Sequence, residues 1–134
     1  MSPHEPSLRE HGFAILPPIS TPPPPTHSQA SAAMQQLLAA APDTDVVMNS
    51  NDLAAIGSMF YRPENGLRAP EDVAITGFTG LAMTEALPRP LTIIYTRRHD
   101  TGRIAARRIL KALSGPPVET VTDLGFDLIP GESS

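Results

Sequence analysis

The chain has no cysteine. That excludes a disulfide scaffold and a thiolate zinc site, and it suits a reducing cytoplasm. No apolar run approaches the roughly 20 residues needed to cross a bilayer, so no membrane partner is expected. The opening MSPHEPSLREHG has no basic region followed by an apolar one, and so does not read as a secretory signal. None of the four histidines, His4, His11, His27 and His99, stands at metal-ligand spacing from another histidine or a carboxylate. No Gly-x-Ser-x-Gly elbow and no Gly-Lys-Ser/Thr phosphate loop occurs. Neither a metal, a cofactor nor a catalytic residue is therefore expected. The net charge of -4 gives no whole-chain case for nucleic acid.

Proline is in surplus. Of 16 prolines, Pro3, Pro6, Pro17, Pro18 and Pro22 to Pro25 crowd the opening. Each fixes φ and donates no backbone hydrogen bond. Residues 1–26 are expected to be an irregular or polyproline-like segment, with Phe13 to Leu16 as a short strand and "STPPPPT" as a semi-rigid spacer.

From there the pattern changes to that of a globular domain, 27–134. Thr26-His27-Ser28-Gln29 fits a capping box. Ala30, Ala33, Met34, Leu37, Leu38 and Ala41 follow at helical spacing up to Pro42. "TDVVM", apolar on both faces, predicts a fully buried strand. A second helix starts at Leu53, with Pro63 and Gly66 as stop signals. "EDVAITGF" predicts a strand over Val73 to Thr76 running into Gly77, and "ALPRPLTIIYT" one over Leu91 to Tyr95. A helix from about Thr101 to Leu113 precedes Gly115-Pro116-Pro117. One or two strands close the chain, Val118 to Leu124 and Phe126 to Ile129. Alternating strands and helices predict an α/β fold, an open parallel sheet flanked by helices.

"VVMNSNDLAAIGSMF", Val46 to Phe60, puts a polar knot where a strand ends and a helix begins. Ligands in open parallel sheets bind beyond the carboxyl ends of the strands. A helix start also needs acceptors for its orphan N–H groups. Asn51 or Asp52 could simply cap the helix, worth about 1 kcal/mol. Alternatively, Asn51 or Ser50 caps while Asp52 points outward and its two oxygens accept from hydroxyls of a polar ligand.

The stretch from Val46 to Ile94 resembles the effector-binding domain of the LacI/GalR family of transcription regulators. The shared elements are Asn51-Asp52 after an apolar strand, Ala54 to Gly57, Gly66-Leu67, Pro70 to Ala74, Gly77-Phe78, and Pro90 to Ile94. "TGRIAARRIL" matches the helix that follows, and the likeness covers about Leu37 to Leu128. The resemblance implies the C-terminal lobe of a type I periplasmic-binding-protein-like fold, truncated, with a sugar or related small metabolite held between two lobes. It implies that Asp52 contacts ligand hydroxyls, with Asn51, Asn49 and Thr79 beside it. It also implies a cytoplasmic regulator that reaches operator DNA only through a headpiece absent from this chain, and a possible homodimer.

The resemblance further implies that residues 91–114 cross to an N-terminal lobe. The apolar face of the helix up to Leu113 would then lack part of its cover, unless the segment repacks or pairs with another chain. Thr79-Gly80 stands where the family often has Asp after Gly-Phe, so a charged ligand contact is lost or replaced by a hydroxyl. "GFTG" itself reads as a tight backbone turn. Arg103, Arg107 and Lys111 form one stripe. It is either an anion surface or, with no aromatics interleaved, the solvated face of an amphipathic helix. Beside the sensor, two alternatives remain: a small α/β enzyme with Asp52 as general base, and a dimerising fragment without further function.

Overall fold

The computed structural model describes residues 5–23, 26–61, 66–115 and 119–134. The elements in chain order are α1 (Glu5–Glu10), α2 (His27–Ala40), β1 (Val46–Met48), α3 (Asp52–Met59), β2 (Ala74–Thr79), β3 (Thr92–Thr96), α4 (Arg98–Leu113) and β4 (Phe126–Ile129). They form one four-stranded sheet in the order β1-β2-β3-β4. The first three strands are parallel, and β4 runs antiparallel to β3. The register pairs Val47 with Ile75, Phe78 with Ile94, and Ile93 with Ile129.

Local chemistry explains α2 well. Thr26 Oγ1 accepts from the Gln29 amide at 3.2 Å, while Gln29 Oε1 accepts from the Thr26 amide at 2.9 Å. This reciprocal box satisfies two orphan donors at the helix start. At the other end the Ala41 amide donates to the Leu37 carbonyl, and Pro42 cannot continue the ladder.

Packing then selects one face of the sheet. α3 lies against β2, and α2 lies on α3. Met34, Ala55, Ile56, Val73, Ile75, Leu91 and Ile93 make the buried core. The helices cross closely at Gly57. A Cβ there would stand 2.7 Å from Ala30 Cβ and 2.8 Å from the His27 carbonyl oxygen. Gly57→Ala is therefore expected to destabilise by about 1–2 kcal/mol despite alanine's better helix propensity, because two backbones must separate. Urea unfolding of the variant measures this.

Several expectations are corrected. Residues 5–10 are helical, and Phe13 to Leu16 form no strand. β1 is not fully buried: Val46 and Met48 are 53% and 54% exposed. Strand residues alternate between faces, and α2 and α3 cover only the face that receives Val47. The opposite face leaves Val46, Met48 and Phe78 open. The terminal strand is antiparallel, and among the described residues 119–124 no strand forms. Pro63 and residues 116–118 lie outside the described residues.

α4 buries none of its residues. Ile109, Leu110 and Leu113 stand exposed, and Ile109 and Leu113 belong to the apolar face named from the sequence. Arg103 reaches Asp100 at 2.8 Å and holds its carboxyl below the usual range through that hydrogen bond. Arg108 reaches Glu119 at 2.6 Å. Such solvated pairs contribute little to stability.

The last four residues were not read from the sequence. Ser133 is fully buried between β2 and β3. Its hydroxyl donates to the Ile75 carbonyl at 2.6 Å and accepts from the Thr92 amide at 2.9 Å, while its own carbonyl accepts from the Ile75 amide at 2.7 Å. The β2–β3 pairing begins only at Thr76 and Thr92, so the tail completes the hydrogen bonding of Ile75 and Thr92. Ser133→Ala orphans a buried donor and acceptor. It is expected to lower stability by about 1–3 kcal/mol, read as a shift in the urea midpoint with unchanged slope.

Candidate functional site

The three parallel strands end side by side, at Met48, Thr79 and Thr96. The polar knot after β1 lies along this edge, and Asn49, Asn51 and Asp52 each have defined partners. Asn51 is the cap of α3: its Oδ1 accepts from the Ala54 amide at 2.8 Å. Asn49 ties β1 to its neighbours. Its Nδ2 donates to the Thr76 carbonyl at 3.3 Å, and its Oδ1 accepts from Ser58 Oγ at 3.1 Å. Ser50 is exposed.

Asp52 does not point outward. It is 0% exposed, and its carboxylate turns toward the segment that follows β2. Oδ2 accepts three hydrogen bonds, from Thr79 Oγ1 at 3.0 Å, the Gly80 amide at 2.8 Å and the Leu81 amide at 2.6 Å. The backbone causes this inward turn. Thr79 has φ 117° and Gly80 φ 87°. These two positive φ values in succession present the amides of Gly80 and Leu81, with the Thr79 hydroxyl, to the carboxylate. Gly80 is needed there twice, for its φ and because a Cβ would run into the Tyr95 ring.

Oδ1 of Asp52 is buried and has no hydrogen-bond partner. It faces Gly77, where a Cβ would lie 2.7 Å away. Most buried polar oxygens are paired, so an orphaned carboxylate oxygen calls for an explanation. The turn is braced from outside as well. Thr96 Oγ1 donates to the Thr79 carbonyl at 3.2 Å, and the exposed Arg98 donates to the Gly80 carbonyl at 3.3 Å.

Of the four sequence-predicted residues, the structure brings Asp52 and Thr79 into contact. Asn49 and Asn51 stand beside them with their acceptor oxygens already engaged. The amides of Gly80 and Leu81 were missed, although the two glycines of "GFTG" marked the tight turn. A groove of about 500 Å³ lies elsewhere, lined by Leu38, Pro42, Tyr61, Leu67 and Asp72. It sits near the start of β2, at the opposite end of the strand from Thr79, and its Asp72 is engaged by Arg68 at 3.2 Å. No cluster of metal-binding side chains occurs among the described residues.

A sequence model of the periplasmic binding protein-like domain matches residues 5–134. The chain belongs to that family. Among the relatives of this periplasmic-binding-protein-like domain is the HTH-type transcriptional regulator GntR of Escherichia coli (strain K12), 38% identical over 93 residues. That match covers 69% of this chain and 28% of the regulator. The HTH-type transcriptional repressor CytR of the same strain is 35% identical over 77 residues, 58% of this chain and 22% of the repressor. The domain thus spans about a quarter of the length of these relatives.

Solved structures agree. The transcriptional regulator CelR in complex with cellobiose superposes with a TM-score of 0.85 at 28% identity, over 98% of this chain and 40% of that one. Regulator GntR from Chromobacterium violaceum gives 0.76 at 34% identity, over 83% and 41%. A LacI-family regulator from Arthrobacter sp. FB24 in complex with lactose gives 0.70 at 30%, over 81% and 41%. These structural neighbours are LacI-family regulators, and the likeness covers only part of them, the C-terminal part.

Proposed function

We propose that this domain forms one side of a cleft that binds a sugar or sugar derivative in a LacI-type transcriptional regulator, with Asp52 as the principal ligand contact. The observation that carries the reading is that Asp52, Thr79, Asn49 and Asn51 come together at the carboxyl ends of the parallel strands, where open parallel sheets bind ligands. Thr79 lies in contact with the same carboxylate, and Asn49 and Asn51 fix its surroundings. The cellobiose and lactose complexes of similar regulators support the ligand class.

In this reading residues 1–26 lead into the domain 27–134, and of residues 91–114, expected to cross to a second lobe, Leu91 and β3 stay in this sheet while the part from α4 onward crosses. That crossing accounts for the bare apolar face of α4. Operator DNA is reached through a separate headpiece, and the regulator acts in the cytoplasm, as a homodimer and without catalysis. No helix among the described residues is long and apolar enough to cross a membrane. Similar proteins being regulators also weighs against the general-base alternative.

Calorimetric titration of the 134-residue chain with cellobiose and with lactose tests the ligand assignment. Binding weaker than micromolar is expected, because one side of a cleft supplies only part of the contacts. Asp52→Asn is expected to weaken it about tenfold or more, the worth of one charge-assisted hydrogen bond. Submicromolar binding by the monomeric chain, or binding indifferent to Asp52→Asn, would overturn the assignment.

A further inference from the structure

We draw no further inference here: the strongest candidate, the bare outer face of the sheet that carries Val46, Met48, Phe78, Phe126 and Leu128, is an unpartnered apolar face, and nothing in the structure shows what covers it.

Discussion

Asp52→Ala is expected to destabilise the domain by about 3 kcal/mol or more. The substitution removes the one acceptor shared by the Thr79 hydroxyl and the Gly80 and Leu81 amides. Hydrogen bonds to a charged group contribute about 1.5–3 kcal/mol each, and buried donors left without an acceptor add a penalty. Part of the loss is recovered, because a turn freed from the carboxylate can relax the positive φ of Thr79. Asp52→Asn keeps one oxygen acceptor and should lose less. Chemical denaturation followed by far-UV circular dichroism separates the two variants. Equal stability of Asp52→Ala and wild type would mean that the carboxylate does not organise the turn.

Ile75→Ala is expected to lower stability by about 2–5 kcal/mol, the range for removing a large aliphatic side chain from a packed core. Ile75 is 1% exposed and lies on the central strand β2, among Ile56, Val73 and Ile93. With few large side chains in this core, the loss is a large share of the total. A thermal melt read by near-ultraviolet circular dichroism would show it. A variant that melts with the wild type would place the stabilising core elsewhere.

The parts of the fold readable from sequence were those specified locally. The capping box at Thr26 involves residues three apart, and its geometry follows from residue type. The strands over β1, β2 and β3 follow from short apolar runs between turn signals, and the elements that carry the family likeness are themselves short and local. What was not readable depends on distant partners. β1 is apolar on both faces, but nothing among the described residues covers Val46 and Met48. The antiparallel return of β4 and the insertion of Ser133 between β2 and β3 depend on where the chain comes back, some 40 residues after Thr92.

The site shows the same division. That the knot caps α3 could be read from "NSND" alone, but not which of Ser50, Asn51 and Asp52 is the cap. The direction of the Asp52 carboxylate could not, because it is set by the backbone at Thr79 and Gly80, on another strand. The glycines of "GFTG" marked a tight turn, but not that its amides would meet the carboxylate of Asp52.

Mapping where a sugar touches the protein tests the functional reading most directly. In two-dimensional NMR spectra of the 134-residue chain, cellobiose should shift the amides of Asn49 to Asp52 and of Thr79 to Leu81, at the carboxyl ends of β1 and β2. Shifts confined to the groove near Leu38, Tyr61 and Leu67, or none at saturating sugar, would contradict a ligand site at Asp52.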